Sequence, residues 1–102
     1  MVSERDFQNT VIELAKLNGW LVHAERHAMK KDGSWITPIQ GDAGFVDLVL
    51  VRDRVIFAEL KSEKGKVSDA QWGWIDALRM VGKEVYIWRP SDWDEIVEIL
   101  KR

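Results

Sequence analysis

The sequence predicts a single α/β domain of 102 residues in which helices pack on a mixed β-sheet. Two apolar, β-branched runs, residues 46–51 and 55–60, flank three polar residues, which is the pattern of an antiparallel hairpin. Segments that begin at Ser3 and Ser68 combine an N-cap residue with apolar positions at helical spacing. Residues 84–88 then form a further strand, which the second helical segment reaches by a crossover. These observations predict the order αβββαβ with an additional C-terminal helix.

Composition limits the classes of protein to consider. The chain is 46% hydrophobic and 31% charged, which suits one soluble domain with one core and leaves no room for a second. It has no cysteine, so a disulfide framework and a thiolate zinc site are both excluded. No apolar run has the length of a membrane span or a signal peptide, and we therefore expect a cytoplasmic protein. The net charge of −2 is nearly uninformative, because nucleic-acid binding depends on how charge is distributed.

The first helix should begin after Ser3 and run to about Asn18, with Gly19 as its stop signal. Glu4 lies one turn before Phe7 and is the helix's one inward-leaning acid. An acid in a first turn is also explained by its interaction with the helix dipole. The predicted apolar stripe consists of Phe7, Val11, Leu14 and Ala15.

A strand is predicted over residues 20–26, followed by a long polar loop over residues 27–44. The loop carries Lys30, Lys31 and Trp35, a combination that suits a nucleic-acid backbone and an exposed base; a partly disordered, solvated loop is the alternative explanation. Polar residues of an edge strand explain the three side chains His23, Glu25 and His27 better than a second metal site does.

Ser68 caps the second predicted helix, which should end near Gly82. Gln71 completes a capping box with Ser68, and this is a sufficient structural explanation for it. We expect Trp72 to belong to the core rather than to a base-stacking surface. The predicted inward stripe is Trp72, Ile75, Leu78 and Arg79 or Met80, and a last helix is predicted over residues 92–100.

The hairpin places two acids opposite each other. If its loop is centred on Asp53, Asp47 faces Glu59 across the strands, and Lys61 lies on the same side of the sheet. Like charges so placed are destabilising. One carboxyl could keep its proton, Lys61 could neutralise the pair, the register could slip by one residue, or a divalent cation could lie between the acids. Mg²⁺ binds one or two carboxylates plus waters and phosphate oxygens, so Asp47, Glu59 and the backbone carbonyl of Leu60 would form a partial shell.

The ordered set of an acid in the first helix, a strand aspartate, a Glu-x-Lys motif and a helix glutamine resembles the PD-(D/E)XK nuclease superfamily. Within it the chain is most similar to the stand-alone VRR-NUC domains of phages and bacteria, over nearly all of residues 1–102. The proline that usually precedes the motif aspartate is replaced here by Val46. Its role is local backbone shape, so no catalytic group is lost. The residues that carry the resemblance are Glu4, Asp47, Glu59, Lys61 and Gln71.

The resemblance implies a restriction-endonuclease-like core and a Mg²⁺- or Mn²⁺-dependent DNA endonuclease. It also implies a homodimer acting on branched DNA, as Holliday-junction resolvases do, in a bacterial or phage-infected cell. The implied catalytic residues are Asp47, Glu59, Lys61, Gln71 and Glu4; the implied metal ligands are Asp47, Glu59, Leu60 and Glu4; the DNA contacts are Lys30, Lys31, Lys64 and Lys66. The alternatives are a non-catalytic DNA-binding or assembly module that retains the fold, and an interaction domain unrelated to DNA.

Overall fold

A computed structural model describes residues 3–25, 28–29, 35–36 and 39–102 of the chain. The helices are α1 (Glu4–Leu17), α2 (Asp69–Met80) and α3 (Trp93–Lys101), and a 3-10 turn, Pro90–Asp92, leads into α3. The strands are β1 (Leu21–Ala24), β2 (Ala28–Met29), β3 (Trp35–Ile36), β4 (Leu48–Val51), β5 (Val55–Leu60) and β6 (Glu84–Trp88).

A four-stranded mixed sheet with the order β1-β4-β5-β6 forms the centre of the molecule. The pairs β1/β4 and β4/β5 are antiparallel, whereas β5 and β6 are parallel and are connected through α2. This confirms the predicted α/β class with the hairpin at its centre. The prediction of one long loop over residues 27–44 was incomplete, because β2 and β3 lie in this stretch and pair with each other as a separate two-stranded sheet. Two-residue strands are too short to give a periodic sequence signal.

Both predicted helix starts are confirmed by their caps. The Ser3 hydroxyl accepts a hydrogen bond from the Asp6 N–H at 3.1 Å. Ser68 and Gln71 form the complete capping box at the start of α2. Strand β1 is shorter than predicted, and β4 begins at Leu48 rather than at Val46. Within the described part of the chain, no helix combines the length and apolar character needed to cross a membrane.

Helices pack on both faces of the sheet. On one face α1 and α3 cover the alternate residues Leu48, Leu50, Ile56, Ala58 and Leu60 of the hairpin. On the other face α2 contributes Ile75 to a smaller cluster with Val46 and Val85, against which Val49 and Phe57 also pack. Because side chains alternate along a strand, Glu59 shares its face with Phe57 and therefore lies on the side of α2.

The predicted inward stripe of α2 was wrong for Trp72 and Met80, whose side chains are exposed to 37% and 86%. The helix instead turns Gln71, Trp74, Ile75 and Leu78 toward the sheet. These positions have the i, i+3, i+4, i+7 spacing of one helix face. The error arose because an inward polar residue, Gln71, interrupts the apolar pattern.

The hairpin loop is attached to the ends of two helices. Arg52 donates hydrogen bonds to the carbonyls of Asn18 at 3.0 Å and Leu100 at 3.2 Å. Arg54 donates to the Ile99 carbonyl at 3.1 Å. Both guanidinium groups also lie over the ring of Trp20. Positive groups at helix C-termini are stabilising, so these contacts fix the hairpin against α1 and α3.

Candidate active site

The register of the central hairpin places Asp47 opposite Glu59. Val51 pairs with Val55, Val49 with Phe57, and Leu48 with Ala58, as the predicted centre of the loop requires. Extended by one step beyond the start of β4, this register sets Asp47 against Glu59, and the negative charge of Asp47 acts on Glu59. A slip of one residue is therefore excluded as the explanation for two facing acids.

Asp47 interrupts the ladder of backbone hydrogen bonds between β4 and β5. In a regular antiparallel ladder of this register, the N–H of Leu60 would donate to the carbonyl of Val46. It donates instead to Oδ2 of Asp47, at 2.9 Å. In a regular antiparallel strand the carbonyl of Leu60 would point to the same side of β5 as its N–H. The aspartate is thus fixed in place by the strand that carries the second acid.

Glu59 is the most deeply buried acid of the site, with 1% of its surface exposed. Its Oε2 atom accepts a hydrogen bond from Nε2 of Gln71 at 2.8 Å and lies 3.3 Å from Nζ of Lys61. Its Oε1 atom is buried and is reached by no N–H or hydroxyl donor of the described residues, while the carboxyl shares a side-chain hydrogen bond with Asp47 that requires one of the two acids to be protonated. Buried carboxylate oxygens are nearly always satisfied, so this oxygen requires a physical explanation.

Burial, and after it the negative charge of Asp47, raise the pKa of Glu59 to about 8. The ammonium group of Lys61 acts in the opposite direction and lowers the pKa, but it does not cancel the other two effects. Without another cation, the site therefore favours the protonated form of this carboxyl to a higher pH than a free glutamate does. A divalent cation at this point would favour the charged form and displace the proton.

Gln71 joins the capping of α2 to the acid pair. Its Oε1 accepts a hydrogen bond from the Ser68 N–H at 2.9 Å, while its Nε2 donates to Glu59. One side chain therefore completes the helix cap and fixes the orientation of the buried carboxylate. The capping box alone, which the sequence offered as a sufficient explanation, accounts for only one of the two contacts.

Replacement of Gln71 by Glu should separate these two functions. Glutamate also completes a capping box with serine, so the start of α2 should be preserved. It offers no N–H to Glu59 and adds a carboxylate beside it, so we expect the free energy of unfolding at pH 7 to fall by about 1–3 kcal/mol. Urea denaturation measures this change, and Ser68→Ala is the control that removes a cap without adding charge. Equal stability of Gln71→Glu and wild type would contradict the proposed role of the contact with Glu59.

The chain segment before Asp47 lies directly against the first turn of α2. Gly44 has φ +96°, and a Cβ atom built on it would be 2.4 Å from the Ala70 carbonyl carbon. Nearby, Nε1 of Trp74 donates to the Asp42 carbonyl at 3.2 Å, and the rings of Phe45 and Trp74 meet edge to face. These contacts set the position of Asp47 relative to the helix that carries Gln71.

Glu4, the other acid predicted to bind the metal, does not lie with Asp47 and Glu59. Glu4 is exposed in the first turn of α1, and α1 packs on the opposite face of the sheet from Glu59. Within residues 3–25, 28–29, 35–36 and 39–102, no group of three or more His, Asp or Glu side chains is arranged to hold a metal ion. The structure thus assembles Asp47 with Glu59 but does not bring Glu4 to them. His23 is exposed on β1, and His27 lies outside the described residues.

Two of the four predicted DNA-contacting lysines can be located. Lys64 and Lys66 are exposed on the turn that follows Lys61 at the end of β5. Lys30 and Lys31 lie outside the described residues. Sequence reasoning missed Arg89, whose guanidinium binds the backbone of this same turn. Its contacts lie 24 to 27 residues away in sequence, and no local pattern indicates them.

No family model, curated protein or solved structure matched this chain. The case for its function therefore depends on the site itself, which combines two facing acids, a paired lysine and a glutamine that fixes one acid.

Proposed function

We propose that this protein is a Mg²⁺- or Mn²⁺-dependent DNA endonuclease with the VRR-NUC arrangement of the PD-(D/E)XK superfamily. Asp47 and Glu59 would hold the cation, and the Leu60 carbonyl would add a third oxygen. Two carboxylates are enough for Mg²⁺, because waters and substrate phosphate oxygens complete its shell. When bound, the cation would supply Lewis acidity toward the scissile phosphate and the attacking water.

The observation that carries the proposal is the burial of Glu59 beside Asp47, with no N–H or hydroxyl donor of the described residues reaching Oε1 of Glu59. A carboxylate buried beside another acid raises the free energy of the fold unless a cation is present. Lys61 alone does not remove this cost, because the pKa of Glu59 stays raised beside it. A cation between the two acids would satisfy the oxygen and neutralise both charges.

Two further side chains have roles that follow from their contacts. Nζ of Lys61 lies 3.3 Å from Oε2 of Glu59, so its remaining donors can reach a phosphate oxygen or orient a water beside the acids. Gln71 contacts the same oxygen, so Oε1 is the atom left to bind a cation. The outer-shell role predicted for Glu4 remains a prediction, and full activity of Glu4→Gln would exclude it.

The test is cleavage of linear, nicked, flapped and four-way DNA with Mg²⁺, Mn²⁺ or EDTA. Asp47→Asn should lose at least about a hundredfold in rate, since even outer-shell partners of metal ligands cost 10- to 100-fold. Asparagine keeps an oxygen that can accept the Leu60 N–H, so the fold should survive. Asp76→Asn, an exposed change of the same type on α2, should leave the rate unchanged.

Absence of cleavage by wild type beyond the level of Asp47→Asn would reject the catalytic proposal. Tight DNA binding with no affinity for Mg²⁺ in calorimetry would then favour a non-catalytic DNA-binding module.

Action on a four-way junction adds a requirement for a dimer. One small chain carries one site, so symmetrical cutting of two strands needs two copies related by a two-fold axis. We expect sedimentation velocity at micromolar concentration to show a dimer, alone or with junction DNA. A monomer under both conditions would exclude the resolvase-like substrate but would leave the nuclease proposal intact.

A further inference from the structure

The turn that follows Lys61, residues 62–67, is held to the end of β6 by Arg89. Nη1 of Arg89 lies 2.6 Å from the Ser62 carbonyl oxygen, 3.2 Å from that of Glu63 and 2.8 Å from that of Gly65. The Glu63 carboxylate also joins the turn to the segment after β6, because it accepts hydrogen bonds from the N–H and the hydroxyl of Ser91. The turn is therefore fixed at three carbonyls and one side chain.

This arrangement determines where the N–H groups of the turn point. In a trans peptide the carbonyl and the following N–H are directed oppositely, and the described chain has no cis peptide bonds. Since the carbonyls of Ser62, Glu63 and Gly65 point toward Arg89, the N–H groups of residues 63, 64 and 66 point away from it. Because the carbonyls face Arg89, these N–H donors form the surface of the turn that faces away from Arg89.

The charges on the turn reinforce this polarity. Lys64 and Lys66 are exposed, so their ammonium groups can reach the outer surface to which their own N–H groups point. The negative charge of Glu63 is drawn toward Ser91, and the positive charge of Arg89 lies behind the carbonyls. Backbone N–H groups combined with lysine are a recurrent means of binding phosphate.

We propose that residues 62–67 form a preformed phosphate-binding loop, in which the N–H and ammonium groups of Lys64 and Lys66 hold one phosphate of the substrate backbone. Arg89 is its positioning residue and does not contact the substrate. The loop begins immediately after Lys61, so a phosphate bound there lies next to the proposed cleavage site. The identity of the ligand as DNA rests on the proposed function, whereas binding of the anion requires neither metal nor cleavage.

A titration of the ¹⁵N-labelled full chain with a short DNA duplex in EDTA tests the loop directly. The amide resonances of Lys64 and Lys66 should shift together and saturate with the dissociation constant of the complex. The same two resonances should shift with inorganic phosphate alone at higher concentration. Binding of the duplex with no change at either amide would overturn the proposal.

Substitutions distinguish positioning from charge. Arg89→Lys keeps the charge, but the lysine nitrogen lies one bond nearer the backbone than Nη1 and does not reach the three carbonyls, so DNA affinity should fall by about tenfold, which corresponds to one or two lost hydrogen bonds. The slope of log K against log salt should stay the same, because no charge is removed. Lys64→Ala and Lys66→Ala should each reduce that slope by about 0.9. Arg79→Lys, an exposed change of the same type on α2, is the control.

Unchanged affinity in a folded Arg89→Lys variant, judged by its urea midpoint, would also overturn the proposal. The outcome is separable from that of the nuclease proposal, because binding is measured in EDTA, where no cleavage occurs, and the exposed control Asp76→Asn should bind DNA there as wild type does. A wild type that shows the amide shifts but no cleavage would reject only the nuclease. Cleavage without the shifts would reject only the loop.

Discussion

Replacement of Glu59 by Gln should stabilise the metal-free protein at pH 8 and abolish its thermal stabilisation by Mg²⁺. The glutamine has nearly the same shape, stays neutral at every pH and still offers an oxygen to Gln71. It removes a carboxylate that is buried opposite Asp47 and whose pKa is about 8. It also removes a proposed metal ligand. The same variant should therefore be more stable without metal and should show no rise in melting temperature when Mg²⁺ is added.

The stability difference between wild type and Glu59→Gln should depend on pH, and its direction follows from the sign of the pKa shift of Glu59. The pKa of Glu59 is raised from 4.5 to about 8, so the folded state holds an extra proton between these values. The free energy of unfolding of wild type should therefore fall as pH rises through this window, by at most about 1.4 kcal/mol per pH unit from this group. The advantage of Glu59→Gln should be small below pH 4.5, grow with pH and level off above 8.

Melting temperatures measured from pH 4.5 to 9, with EDTA and with Mg²⁺, give this profile. Mg²⁺ should raise the melting temperature of wild type more at pH 8 than at pH 6, because binding releases the proton of Glu59. Glu95→Gln, at an exposed position of α3, should follow wild type under all conditions. Parallel profiles for wild type and Glu59→Gln would show that the buried carboxyl has no raised pKa.

Gly44→Ala should be strongly destabilising, although position 44 lies outside the apolar core. A methyl group there would lie 2.4 Å from the Ala70 carbonyl carbon and 2.5 Å from its oxygen, which are backbone atoms that cannot move aside cheaply. The φ of +96° adds the cost that any L side chain has in this region. Together these effects should lower the free energy of unfolding by about 3 kcal/mol or more. Urea denaturation measures the loss.

Two other glycines separate the components of this effect. Gly41 has φ +102° but no atom within 4 Å of the point that a methyl group would occupy, so Gly41→Ala should show the backbone cost alone. Gly73 lies within α2 with open space around it, so Gly73→Ala should stabilise the helix by up to about 1 kcal/mol. A Gly44→Ala variant no less stable than Gly41→Ala would show that the contact with Ala70 is not tight.

The sequence predicted the framework well wherever local rules operate. The capped starts of α1 and α2, the strand β6 and the hairpin register were all confirmed. The hairpin register could be predicted because period-2 alternation and a short loop allow few ways to pair the two strands. Alternation and loop length alone were enough to predict the pairs from Leu48–Ala58 to Val51–Val55.

The wrong predictions for Trp72 and for the start of β4 have the same physical cause. Trp72 was assigned to the core because the apolar pattern of α2 was followed through it, whereas the inward face contains Gln71. The predicted strand start at Val46 assumed that the backbone would satisfy Leu60, whereas the Asp47 side chain does so. In both cases a polar side chain occupies a position that local patterning gives to an apolar residue or to the backbone. Such exceptions are expected at functional sites.

The hydrogen bond from Leu60 to Asp47 also determines which acid is informative about activity. Under the proposed nuclease function, a copy of this domain without catalysis would still need an acceptor at position 47, because the Leu60 N–H would otherwise be buried without a partner. Position 59 has no such requirement, since a neutral or apolar residue there would be more stable than a buried carboxylate. Survival of aspartate in a diverged copy of this domain would thus say little about cleavage. Survival of glutamate at position 59 would be the better mark of continued selection for a bound cation.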